Sequence, residues 1–116
     1  MFQPLNRIIN IDDDYISLFL TTKFLAGNKI ADTTLPFTNG IDALRYLEQN
    51  AQIPSVLPEL ILLDIMMPDI NGWQFLAELN NIEFIAGYEP VVCIVSAQTI
   101  TNFEILKCYP ISKGIF

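Results

Sequence analysis

The chain contains no histidine. That absence excludes a Ser-His or Cys-His catalytic couple, a His-ligated zinc site and any phosphoryl carriage on an imidazole of its own. Basic residues are scarce: Arg7, Lys23, Lys29, Arg45, Lys107 and Lys113 are scattered along 116 residues, and the net charge is −7. A nucleic-acid backbone would be repelled, so no nucleic-acid partner is expected. Five glycines form neither a GxGxxG nor a P-loop pattern, which removes the usual nucleotide-binding signatures. The two cysteines, Cys93 and Cys108, lack CxxC spacing and sit in apolar stretches. They read as buried free thiols in a reducing compartment. No apolar run approaches a membrane span, and Met1 to Arg7 lacks the regions of a signal peptide. The expectation is a cytoplasmic protein with no membrane partner.

What the chain does have is apolar residues, 52% of the total against 16% charged, enough for a sizeable single core. Apolar runs rich in branched residues alternate with amphipathic segments, the signature of a parallel α/β sheet. Strands are predicted over Arg7–Ile11, Ile30–Phe37, Leu60–Leu63, Val91–Val95 and Ile111–Phe116. Pro36 pushes the second toward an edge. Helices are predicted over Tyr15–Ala26, with Ile16, Phe19, Leu20 and Phe24 on one side, and over Ile41–Asn50, capped by Asn39 or Thr38. Two more are predicted over Trp73–Ile85, with Leu76, Leu79 and Ile82 as its stripe, and over Ile100–Cys108. Gly27 suits the first helix's stop. Ala51–Pro58 and Pro68–Gly72 read as loops, and no helix closes the pattern after the last strand.

Two predicted strands end in carboxylates. Asp12-Asp13-Asp14 follows Ile8-Ile9-Asn10-Ile11, and Asp64 follows Leu60-Ile61-Leu62-Leu63. If these strands lie parallel and adjacent, the carboxylates meet at one sheet edge, where ligand sites of such sheets form. Crowded carboxylates repel, so the pocket wants a hard divalent cation such as Mg2+, and the pair suits phosphoryl chemistry. Ser96 follows another strand directly, and Lys113 falls near the same end of the last one. Asp14, before a helix, reads as an N-cap rather than a ligand. Asp69 reads as a loop residue, and Trp73 and Phe75 as packing the start of their helix.

Four motifs carry a resemblance: Ile-Asp-Asp-Asp at 11–14, Leu-Asp-Ile-Met-Met-Pro-Asp-Ile-Asn-Gly at 63–72, Val-Ser-Ala at 95–97 and Ser-Lys-Gly at 112–114. In order and rough spacing the chain resembles the CheY-like receiver domain of two-component response regulators. The resemblance implies a flavodoxin-like, doubly wound, five-stranded parallel sheet of order 2-1-3-4-5. It implies that Asp64 accepts a phosphoryl group, and that Asp12, Asp13, Asp64 and the Met66 carbonyl hold Mg2+. Ser96 would contact a phosphoryl oxygen, and Lys113 would pair with the carboxylate and then with the phosphoryl group. Met66 and Gln98 occupy positions that tune dephosphorylation, and Tyr109 is the aromatic nearest the family's switch position. The expectation is a stand-alone receiver over residues 1–116 with no output domain, fed by a sensor histidine kinase or a histidine phosphotransfer protein. It would signal to an unnamed downstream protein by contact and would not turn over outside substrates.

The chain departs from the pattern at its end. The span from Ser96 to Lys113 is several residues shorter than a typical receiver's, and Gly114 stands where the family has proline. Without a closing helix, Ile111, Ile115 and Phe116 could expose an apolar edge, and the expectation is either that a homodimer or another partner chain covers it or that the chain is a truncated product of marginal stability. Two other functions compete. One is a degenerate receiver-like module that works without phosphorylation. The other is an Asp-nucleophile phosphatase, which Asp64-Ile65-Met66 disfavours because it lacks a second Asp as general acid.

Overall fold

The computed structural model describes residues 4–64, 67 and 69–94, and the backbone of 95 and 106–110. The elements are β1 (Leu5–Ile11), α1 (Tyr15–Gly27), β2 (Ala31–Phe37), α2 (Gly40–Gln49), a 3-10 turn (Pro54–Val56), β3 (Leu60–Asp64), α3 (Gly72–Asn80), β4 (Val91–Val95) and β5 (Leu106–Pro110). They form one sheet in the order β2-β1-β3-β4-β5. The first four strands are parallel. This is the α/β sheet that the alternating pattern predicts, and Pro36 indeed lies on the edge strand β2, where a missing backbone donor is tolerated.

Register decides which residues share a face. Ile9 pairs with Ile61 and Ile11 with Leu63, and these in turn pair with Val92 and Ile94. All six side chains are buried on the face covered by α2 and α3, with Leu44, Leu47, Phe75, Leu76 and Leu79 packed against them. The alternate residues face α1, where Ile8, Leu25 and Ala31 form a smaller cluster and Leu60 and Leu62 are half-buried. Asn10 is the buried polar residue of that face; its Nδ2 donates to Thr22 Oγ1 at 3.5 Å.

The caps are local. Asn39 accepts from Asp42 N at 2.7 Å and opens α2. Asn71 accepts from Gln74 N while Gln74 Oε1 accepts from Asn71 N, a reciprocal capping box that opens α3. The helix predicted to Ile85 stops at Asn80, because two asparagines in succession favour a cap over another turn. The segment beyond is tied to the domain by Ile85 N donating to the Ala51 carbonyl at 2.9 Å and Gln52 Nε2 donating to the Glu83 carbonyl at 2.9 Å. Gly27 is the last residue of α1 rather than its stop; the left-handed residue is Lys29, at φ 53°.

The C-terminal third departs furthest from expectation. β5 is antiparallel to β4, and its residues 106–110 overlap the end of the stretch predicted as a helix over 100–108. The 96–105 connection falls short of the dozen or so residues that a parallel crossover needs, whereas an antiparallel return needs only a turn. The strand predicted at Ile111–Phe116 lies outside the described residues. The same register overturns the free-thiol reading. Cys93 pairs in register with Cys108, and Cys93 is disulfide-bonded.

The α1 stripe is also reversed. Ile16, Phe19, Leu20 and Phe24 are exposed, and the helix meets the sheet through Leu18 and Leu25. A helix apolar on every side gives periodicity nothing to choose between. Trp73 likewise stands out at 53% exposed, whereas Phe75, two positions on, is fully buried.

Gly40, at the start of α2, allows a close approach of α2 to its neighbours. A Cβ there would lie 2.6 Å from Ile70 Cγ2 and 3.3 Å from Phe75 Cδ2. Gly40→Ala is expected to destabilise the domain by about 1–3 kcal/mol despite the better helix former, because the neighbours have to shift. Urea denaturation checks this.

Candidate functional site

Parallel pairing of β1 with β3 sets Ile11 beside Leu63, so the next residues, Asp12 and Asp64, arrive together at the carboxyl edge of the sheet. A donor oxygen from each of Asp12, Asp13 and Asp64 lies within 4.8 Å of the others. Asp12 and Asp64 are half-buried and Asp13 is exposed. The sheet holds Asp12 in place: its N–H donates to the Phe37 carbonyl at 3.0 Å. Its Oδ1 accepts from Asp14 N at 3.0 Å, and its carboxyl is hydrogen-bonded to Asp64.

Burial pushes the Asp12 carboxyl above its ordinary range, and the negative charges of Asp13 and Asp14 push the same way. The hydrogen bonds from the Asp14 backbone and with Asp64 oppose that rise only in part. Asp14 itself turns away. Its Oδ1 accepts from Ile16 N at 3.1 Å and its Oδ2 from Ser17 Oγ at 3.0 Å, so it is the N-cap of α1, as its position predicts.

The donor set suits a hard cation. It is all oxygen, it is rich in negative charge, and one member is open to solvent, which leaves room for the waters that Mg2+ retains. Met66, Ser96, Gln98 and Lys113 lie outside the described residues. Tyr109 is described by its backbone alone, opposite Val92 in β5. β5 starts with Leu106 beside Val95, at the acidic edge, and ends with Pro110 beside Val91, at the other end of the sheet.

Two supports of the site were missed in the sequence. Asp69 is more than a loop residue: its Oδ2 accepts from Ile41 N at 3.3 Å and ties the segment after Asp64 to the start of α2. Nothing local signals a contact across that distance in sequence. Met67 is buried in the core beneath the same segment. The Asn71–Gln74 box was readable as Asn-x-x-Gln ahead of an apolar run.

Comparison with known proteins agrees with this architecture. The model of the response regulator receiver domain matches residues 8–109. The regulatory protein VanRc of Enterococcus gallinarum is 32% identical over 78 residues, covering 67% of this chain and 30% of that protein. A protein-glutamate methylesterase/protein-glutamine glutaminase of Treponema denticola is 38% identical over 77 residues, covering 64% of this chain but only 18% of that protein. The chain thus spans a third or less of either relative. Among solved structures, the receiver domain of a histidine kinase from Arabidopsis thaliana, complexed with Mg2+, superposes with a TM-score of 0.70 at 21% identity, over 86% of this chain and 73% of that one. A two-component response regulator from Cytophaga hutchinsonii superposes with a TM-score of 0.65 at 25% identity, over 88% and 76%. With the family model spanning most of its length and an acidic cluster at the sheet edge, the chain belongs to the response regulator receiver domain family of two-component signalling.

Proposed function

We propose that this receiver accepts a phosphoryl group on Asp64 from a phospho-histidine of a sensor kinase or phosphotransfer protein, and signals by protein–protein contact. The observation that carries the reading is the convergence of Asp12, Asp13 and Asp64 within 4.8 Å at the carboxyl edge of a parallel sheet. An oxygen of Asp64 attacks phosphorus, the bond from phosphorus to the donor nitrogen breaks, and an acyl phosphate forms while the imidazole leaves. Carboxylates are weak nucleophiles, and phosphoryl transfer depends mostly on positioning and charge neutralisation. Asp12, Asp13, Asp64 and the Met66 carbonyl are the proposed holders of Mg2+. A bound divalent cation supplies the offset for charge on the phosphoryl oxygens. The family resemblance assigns a contact with those oxygens to Ser96 and Lys113. No helix among the described residues is long and apolar enough to cross a membrane.

Intact mass after incubation with acetyl phosphate and Mg2+ tests the reading. The parent is expected to gain one phosphoryl adduct and Asp64→Asn none. A second reading, a receiver-like interaction module independent of phosphate, draws on one observation. β5 leads away from the acidic edge before the chain reaches Lys113. A folded parent that takes no adduct would select that reading.

A further inference from the structure

Helix α1 carries apolar residues on the side that the sheet does not use. Tyr15, Ile16, Phe19, Leu20 and Phe24 are between 48% and 74% exposed. A surface helix of a soluble domain ordinarily places charged residues there. Here the helix carries one charge, Lys23, whose Nζ lies 5.4 Å from the centroid of the Phe19 ring. Its N-terminal tip, by contrast, holds three consecutive carboxylates, Asp12 to Asp14.

We propose that this face of α1 binds a second copy of the chain, the two α1 helices packing antiparallel about a two-fold axis near Phe19. Area and charge both support this occupant. With aromatic side chains offering roughly 150–250 Å² each, the five exposed residues present about 600 Å², the top of the range for the largest apolar patch on a monomer. Two such faces bury about 1,200 Å² in total, the lower bound of a specific, stable interface.

Charge selects the orientation. In a parallel pair the acidic tips would stand together and Lys23 would face Lys23. In an antiparallel pair centred on Phe19, Lys23 of each copy lies alongside Tyr15 of the other, one residue from Asp14. Each lysine then offsets part of the opposing acidic tip in a molecule of net charge −7. The interface is isologous and closes at two subunits. It does not depend on phosphoryl acceptance at Asp64.

Sedimentation equilibrium of the full chain from micromolar to several hundred micromolar, in low and moderate salt, tests the proposal. The parent is expected to dimerise. Phe19→Glu is expected to weaken the dimer at least 100-fold. Lys23→Glu is expected to weaken it about tenfold, with a larger loss in low salt than in moderate salt, since added salt screens the new repulsion. Circular dichroism and urea unfolding confirm that each variant is folded, and Leu20→Glu replaces Phe19→Glu if the latter is not. A parent that stays monomeric throughout the range overturns the proposal. So does a dimer indifferent to Phe19→Glu and Leu20→Glu, which would place the contact on another surface.

Discussion

Phe75→Ala is expected to lower the unfolding free energy by about 3–5 kcal/mol, the usual range for a buried phenylalanine. The ring is fully buried in the cluster that joins Ile9, Ile11, Ile61 and Leu63 of the sheet to Leu44 and Leu47 of α2. It also supports the close approach of Gly40 to Ile70, since its Cδ2 stands 3.3 Å from where a Gly40 Cβ would be. Truncation therefore opens a cavity where α2, α3 and the segment after Asp64 meet. Neither Gly40 nor the capped start of α3 can move in to fill it, so the cost should lie toward the upper end. Small domains hold only about 5–15 kcal/mol in all, so the variant should unfold at a much lower urea midpoint with the slope unchanged. A loss under about 1 kcal/mol would mean that α3 does not seat this ring in the core.

Mg2+ is expected to stabilise the parent by about 2.7 kcal/mol when present at 100 times its dissociation constant, and to leave Asp12→Asn and Asp13→Asn almost unmoved. The reason is the crowding of three carboxylates within 4.8 Å, which the metal-free chain tolerates only at a cost. The Asp12 carboxyl has its folded pKa raised by burial and by its acidic neighbours. The folded chain thus holds that proton more tightly than the unfolded chain. The stabilisation from protonated Asp12 is fully present below the unfolded value and is lost as pH rises through the folded one. Without metal, melting temperature should accordingly decline as pH rises from the ordinary Asp range, and Asp12→Asn should flatten the decline. In chelator at neutral pH, Asp12→Asn should melt a few degrees above the parent. Thermal melts of the parent and both variants with chelator and with Mg2+ check all of these. Equal metal stabilisation of parent and variants would remove Asp12 and Asp13 from the proposed ligand set.

The acidic cluster was legible because strand ends are legible. Four apolar residues followed by Asp64, and three isoleucines around Asn10 followed by Asp12, locate carboxylates at strand termini whatever the rest of the chain does. A parallel neighbour relation then brings them together. Asp14 was legible as a cap because that bond spans two residues. Asp69 was not legible, because its partner, Ile41, lies on another element. The faces of α1 were not legible either. Amphipathicity marks a buried side only when the other side is polar, and here Phe19 and Phe24 are as apolar as Leu18 and Leu25.

Composition and periodicity by themselves determined an acidic α/β domain, the four parallel strands, the edge position of β2 and the residues that tip β1 and β3. Those features follow from local pattern, from the side-chain alternation of strands and from proline's missing donor. Only the tertiary structure decided the direction of β5, the bonding of Cys93 and the side of α1 left to solvent. Each depends on the length of a connection or the register of a neighbour, and so on contacts between residues that no local pattern relates.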